Sequence, residues 1–406
     1  MQTKNKEKNN FLLLFSRLFV PLQPIMTERM IIGFDAKRIV RNGTGLGSYG
    51  RTLVNALGAL NSFDMRLYAP DQGLNELRSQ IVMRQGVSFC YPPHSHTALG
   101  KALWRSRGIV SQLQKDGVQV YHGLSGELPT GIDQTGIRTV VTIHDLIFMR
   151  HPEYYNRADV KIYTHKFFNT LKMADRIVAI SECTRRDICE LGGIDASRVD
   201  LVYQSCALRY GEEPKTHELW KARDDYMLPD RYVLSVGSIE ERKNMLLAVK
   251  ALHHLPDDVS LVIVGRSTPY TDIIRQYVQE HRLFDRVQML HNVPDDDLPA
   301  LYRMADCFVY PSRYEGFGIP IIEAISQGLP VVACTGSCLE EAGGPDSLYV
   351  DPDDHEALAH AIRQVLFGAP GRQQRIDRSR EYVKRFENTG AARRFADIYA
   401  ELINNR

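Results

Sequence analysis

From Met30 onward, short runs of β-branched and other apolar residues alternate with stretches in which apolar positions recur every three or four residues. The runs suit strands buried on both faces and the stretches suit amphipathic helices, so together they predict a parallel sheet covered on both sides. A first set of strands is expected over 31–35, 65–69, 118–122, 138–144, 176–180 and 199–203. The rhythm breaks at 206–230, where Gly211-Glu212-Glu213-Pro214 and Pro229-Asp230 frame a polar, aperiodic stretch that reads as a linker. A second set follows over 231–236, 259–264, 286–290, 307–310 and 330–334. The expected class is α/β, with two Rossmann-like doubly wound domains facing each other across a cleft. The first spans 26–205 and the second 231–387. A helix in 388–406, with Phe395, Ile398, Tyr399 and Leu402 on one side, crosses back to the first domain. Ligands of open α/β sheets bind beyond the carboxyl ends of the strands, which places the chemistry in that cleft.

Length and charge narrow the possibilities. A chain of 406 residues with 44% apolar content can bury two cores. Fifty basic against forty-nine acidic residues give a formal charge of +1, so no overall field points to a nucleic-acid partner. The seven cysteines (Cys90, Cys183, Cys189, Cys206, Cys307, Cys334, Cys338) form no C-x-x-C pair and read as buried thiols of a reducing cytoplasm. Residues 1–25 are an extension outside the fold, read as disordered. Its apolar run from Phe11 to Val20 is broken by Arg17 and falls short of the roughly 20 residues that span a bilayer. No small-x-small cleavage site follows it. An interfacial helix and a true start at Met26 or Met30 are the two readings.

The strongest local signal is Pro311-Ser312-Arg313-Tyr314-Glu315-Gly316-Phe317-Gly318-Ile319-Pro320, leaving the strand that ends at Tyr310. It reads as strand, glycine turn and helix, with Pro320 in the first turn, where its missing N–H costs nothing. The amides of Phe317, Gly318 and Ile319 then lie at a helix N-terminus, an anion site. Glu315 and Glu323 flank it and can accept hydrogen bonds from sugar and ribose hydroxyls. The competing reading is an ordinary turn with surface glutamates.

The pattern E-G-F-G-I-P-x-x-E-A, from Glu315 to Ala324, resembles the signature of the retaining GT-B glycosyltransferases called glycosyl transferases group 1. Leu234 to Asn244 resembles the strand and R-K-N element of that family, Val262 to Gly265 its next strand, and Phe34-Asp35 with Gly43 to Tyr49 its amino-terminal loop. The resemblance implies transfer of a hexose from a nucleoside diphosphate with retained configuration, without a metal or a bound cofactor; the nucleotide sugar is a co-substrate. It implies that Arg242 and Lys243 hold the leaving diphosphate. Fixed cations can stabilise such a transition state. Many relatives carry a further arginine where this chain has Ser238. Gly45, Leu46 and Gly47 would approach the diphosphate from the first domain, His144 would meet the donor sugar, Val293 would lie near the base, and Glu323 would hold the ribose. The start F-D-A with G-T-G-x-G-x-Y resembles bacterial mannosyltransferases of surface polysaccharide assembly, which favours GDP-mannose over a UDP-hexose. The acceptor is a glycan or a lipid-linked saccharide.

Rival readings rest on other residues. Gly45, Gly47 and Gly50 form a literal G-x-G-x-x-G, but Ala36 to Thr44 separate them from the strand end, which a dinucleotide fold does not allow. A sugar-nucleotide epimerase would share the cleft, and a non-catalytic carbohydrate-binding protein would be expected to lack Arg242, Lys243 or Glu315. Asp295-Asp296-Asp297 contains a D-x-D but precedes a helix and reads as its N-cap. Asp145 either orients His144 or caps the next loop. His94-Ser95-His96 reads as loop. Lys101 to Arg107 reads as a basic amphipathic helix facing a lipid-linked substrate or a membrane surface, or as a solvated face.

Overall fold

The computed structural model describes residues 29–93 and 97–404; the extension over 1–25 and the motif at 94–96 lie outside them. The first sheet holds β1 (Ile31–Asp35), β2 (Asp64–Tyr68), β3 (Val87–Cys90), β4 (Val120–Gly123), β5 (Arg138–Ile143), β6 (Arg176–Ala179) and β7 (Val199–Leu201). The second holds β8 (Tyr232–Val236), β9 (Ser260–Val264), β10 (Val287–Leu290), β11 (Cys307–Tyr310), β12 (Val331–Cys334) and β13 (Leu348–Val350). Their orders are β3-β2-β1-β4-β5-β6-β7 and β10-β9-β8-β11-β12-β13. Every neighbouring pair is parallel, for instance Phe34 beside Leu67 and His122, or Tyr310 beside Ala333. The strand order reverses between β1 and β4 and between β8 and β11, the switch points at which a crevice opens above the carboxyl ends.

The buried runs produced the central strands, as expected. Two edge strands, β3 and β13, were not expected. Val87–Cys90 reads V-S-F-C and is mostly half-buried, and β13 is three residues long. An edge strand covered on few sides carries no continuous apolar run.

The stretch read as a polar linker contains a helix, Thr216–Tyr226. Leu219, Ala222 and Tyr226 share one face of it and pack, with Leu228, on the core of the second domain. The rest of that helix is polar apart from Trp220, 64% exposed, so its periodicity is weak.

The last helix, Asn388–Asn404, lies on the first sheet. Its Ala392, Phe395, Ile398 and Tyr399 are buried with Phe34, Val120, Val140 and with Leu53 and Leu57 of the helix Gly45–Leu60. Arg394 pairs with Asp200 at 2.7 Å and Glu401 with Arg176 at 2.5 Å. Burial of side chains of this size contributes on the order of 1.5–3 kcal/mol each, far more than such half-exposed ion pairs. Apolar packing therefore holds the crossing helix. The core of the second domain also continues into the first: Ile147, Ile180 and Cys183 pack with Tyr314, Phe317 and Leu339.

Candidate active site

The glycine turn after β11 leads into the helix Ile319–Ser326. Gly318, at φ 109°, starts it without a side-chain cap, and Pro320 has no N–H to spend, so the first turn presents uncapped amides. Gly316 admits no side chain, because a Cβ there would stand 2.2 Å from the carbonyl oxygen of His144 in the first domain. The two domains touch at this residue. Phe317 points away from the turn, stacked on Tyr203 and edge-on to Phe386.

Arg242 and Lys243 lie on the tight turn Glu241–Lys243 beyond β8, and both reach Glu315. Arg242 stands 2.9 Å from Glu315 Oε2, and Lys243 Nζ donates to Glu315 Oε1 at 2.7 Å and to the Tyr310 hydroxyl at 2.8 Å. Tyr310 and Ser312 donate to the same carboxylate oxygen, at 3.1 and 2.9 Å. Burial would push the Glu315 pKa up, but Lys243 and Arg242 outweigh it and hold the carboxyl at about 2. Burial likewise opposes the two cations, and Glu315 more than offsets it, leaving both pKa values raised. The trio is thus ionised and internally paired. Glu315 was expected on donor hydroxyls; here its oxygens meet the two cations and the hydroxyls of Tyr310 and Ser312.

Glu323 sits half-buried on the next helix, accepting from the Tyr302 hydroxyl at 3.0 Å. Burial, with Asp295 adding to it, raises its pKa to about 7. Val293, half-buried, lies on the loop beyond β10 that also carries Asp295. Asp297 does occupy the N-cap position of the helix Leu298–Met304, but its side chain does not cap it. The carboxylate instead accepts from the Tyr226 hydroxyl at 2.5 Å, while Asp296 pairs with Arg209 at 2.6 Å.

On the first-domain side, His144 is the residue just beyond β5. Its Nε2 donates to the Leu124 carbonyl at 2.8 Å, which leaves Nδ1 to accept from the Gln204 amide at 2.7 Å. Burial, and Arg38 nearby, lower its pKa to about 4, so the ring is neutral. Both ring nitrogens are engaged within the protein. Asp145 accepts from the Ile147 amide at 3.2 Å and caps the following turn; it does not orient His144.

The glycine loop is closely packed at two of its glycines. A Cβ on Gly47 would lie 1.8 Å from the Asn42 carbonyl, and one on Gly50 would lie 2.8 Å from Ile39. Those glycines let the helix Gly45–Leu60 seat against the preceding turn. Gly45 is exposed with open space around it, and Leu46 is half-buried.

Lys101 to Arg107 is not one continuous α-helix: a helix, Ala98–Leu103, runs into a π-helical turn, Trp104–Gly108. Three acids draw two of its cations inward. Lys101 pairs with Asp71 at 2.8 Å, and Arg105 pairs with Asp35 at 2.6 Å and Glu127 at 2.7 Å. These groups line a crevice of about 830 Å³ beside the β1–β4 switch point, with Leu99 and Leu103 exposed at its rim. Elsewhere, His254, His355 and Glu356 place metal-ligating atoms within 4.8 Å of one another, on elements that carry none of the expected site residues. Among the described residues no helix is long and apolar enough to cross a membrane.

Comparison with known proteins joins the two walls. Residues 220–382 match the family described as Glycosyl transferases group 1, and residues 43–205 match Glycosyltransferase Family 4. The second domain thus carries a group 1 glycosyltransferase domain and the first a family 4 glycosyltransferase domain. It is 32% identical over 251 residues to the O-antigen chain mannosyltransferase B of Escherichia coli, covering 61% of this chain and 65% of that one. It is 28% identical over 249 residues, with 61% and 65% covered, to the O-antigen chain mannosyltransferase RfbU of Salmonella typhimurium. The match therefore spans just under two thirds of these curated relatives. In fold it is similar to the sucrose-phosphate synthase of Thermosynechococcus elongatus, with a TM-score of 0.75, 22% identity, and coverage of 93% of this chain and 100% of that one. The fold is GT-B.

Several residues of this site carried no sequence signal. Tyr310 and Tyr302 read as strand and helix residues, Ser312 stood in the turn motif without a role of its own, and Gln204 falls just beyond a strand prediction. Ser181, which caps the helix Glu182–Gly192, carried no hint that it reaches the other domain.

Proposed function

We propose that the chain transfers a hexose from a nucleoside diphosphate to a glycan or lipid-linked acceptor, with retention and without a metal, in assembly of a bacterial surface polysaccharide. The observation that carries this reading is the paired Arg242–Lys243–Glu315 cluster beside the uncapped amides of Phe317 to Ile319. A departing diphosphate gathers charge where two cations are already fixed and partly desolvated, so little reorganisation accompanies the step. Glu323 accepts from the ribose and Val293 lies against the base. Gly45 and Leu46 close on the diphosphate from the opposite wall. His144 presents Nδ1 to the donor sugar once Gln204 gives way. The acceptor hydroxyl attacks on the face the diphosphate leaves, and its proton passes to that diphosphate, so no protein nucleophile takes part. The acceptor fits the crevice at the first switch point, and the exposed Leu99 and Leu103 favour an acceptor with an apolar anchor presented at a membrane surface.

GDP-mannose is the preferred donor, which the two mannosyltransferase relatives support. Turnover of GDP-, UDP- and ADP-sugars, with NAD as control, tests the reading. Release of nucleoside diphosphate from one of them, lost in Glu315→Ala, supports it; binding of NAD alone overturns it.

A further inference from the structure

The first domain is expected to serve the acceptor, yet one face of its helix Glu182–Gly192 grips the donor turn. Ser181, fully buried, caps this helix by accepting from the Thr184 amide at 3.0 Å, and the same hydroxyl donates to the Gly316 carbonyl at 2.6 Å. The Thr184 hydroxyl lies 3.0 Å from the His144 carbonyl and 3.2 Å from that of Gly316. One turn further, Asp187, 1% exposed, accepts from the Tyr314 hydroxyl at 2.6 Å and is held in turn by Arg150. Residues 181, 184 and 187 share one helical face, so a single element meets both ends of the segment Tyr314–Gly316. Glu315, between those ends, is the residue that pairs with Arg242 and Lys243.

We infer that Thr184, Ser181 and Asp187 are positioning residues that set the donor turn from the acceptor-side domain, so that the anion site takes its final geometry only when the two domains close. Inference and Proposed function share the donor turn, and the inference rests on that reading. Three of these bonds, from Ser181 and Thr184 to the Gly316 carbonyl and from Tyr314 to Asp187, join one domain to the other. Opening the cleft releases all of them together, and donor binding therefore favours the closed state by linkage. The absence of a Cβ on Gly316 is what allows the approach.

The test uses Thr184→Val, which keeps shape and leaves the Ser181 cap intact, with Tyr314→Phe and the conservative Thr184→Ser. Hydrogen exchange of the unliganded chain reads the turn directly: exchange of the 315–318 amides is expected to quicken in Thr184→Val and Tyr314→Phe, while the strand amides of β11 stay unchanged. Kinetics reads the coupling: donor KM is expected to rise about tenfold, the equivalent of one buried hydrogen bond, with acceptor KM unchanged and Thr184→Ser restoring the wild-type value. Unchanged exchange in both variants, or a fall in kcat with donor KM untouched, overturns the inference. A wild-type chain that binds no nucleotide sugar, while its variants still loosen the turn, would instead overturn the proposed transferase.

Discussion

Two buried polar networks stand on either side of the cleft and obey different physics. In the first domain Tyr49, Thr142, His122 and Tyr399 form a neutral chain, with links of 3.1, 2.8 and 2.7 Å. Burial, then His144, lowers the His122 pKa to about 3 and keeps it uncharged. In the second domain Arg242, Lys243 and Glu315 are all charged: Glu315 keeps both cations so, and the two cations keep Glu315 so. The neutral chain ties the last helix to the first sheet through Tyr399. The charged cluster holds two cations ready for an anion. A neutral network can lose a member for the cost of one unpaired group, whereas a charged one cannot lose Glu315 without leaving Lys243 buried without its carboxylate and Arg242 with only the longer contact to Glu240.

The largest expected effect breaks the charged side. Glu315→Ala should destabilise the fold by about 3–5 kcal/mol in denaturant titration, since it strands two buried cations. A loss no greater than a surface substitution would mean that water already screens the cluster. Lys243→Met should keep the fold and lower kcat by roughly 10²–10³, the scale of removing one transition-state donor; a change confined to KM would assign Lys243 to ground-state binding. On the neutral side, Tyr399→Phe leaves His122 Nδ1 unpaired and should cost about 1–3 kcal/mol of stability without altering donor KM.

Gly47→Ala sharpens the contrast between packing and ligand roles. With a Cβ aimed at the Asn42 carbonyl it should cost about 1–3 kcal/mol of stability, with donor KM within error of wild type. A large rise in KM on a stable fold would return the loop to diphosphate binding.

The pH dependence tests the neutral side without a substitution. The folded-state pKa of His122 lies below its ordinary 6.5, so the unfolded chain takes up the proton first. Stability from this residue is complete above 6.5 and is lost as the pH falls toward about 3, with His144 adding the same sign down to about 4. The slope reaches about 1.4 kcal/mol per pH unit for each imidazole. Thermal melts that stay flat between neutral pH and 5 would show that the neutral network is not dry.

Much of this architecture was legible along the chain. The central strands announce themselves because strands covered on both faces need runs rich in apolar and β-branched residues, as in Leu261 to Val264 and Thr139 to Ile143. The turn from Glu315 to Pro320 was legible because glycine and proline have narrow conformational uses. The helix Thr216–Tyr226 and the edge strand Val87–Cys90 were hidden, since each buries only a narrow face. Gly47 showed the opposite failure: the glycine was visible, but its reason, a carbonyl five positions earlier, was not.

By itself, then, the sequence determined the two parallel sheets and the glycine turn that leads from β11 into its helix, because burial and backbone freedom are local in their demands. Only the tertiary structure decided which of those residues neutralise one another, that His144 spends both nitrogens inside the protein, and that Ser181, Thr184 and Asp187 reach across to the donor turn. Hydrogen bonds and ion pairs depend on which atoms come within about 3 Å, and separations of 72 or 135 residues between Lys243 and Glu315, or Ser181 and Gly316, carry no trace of that in the order of the chain.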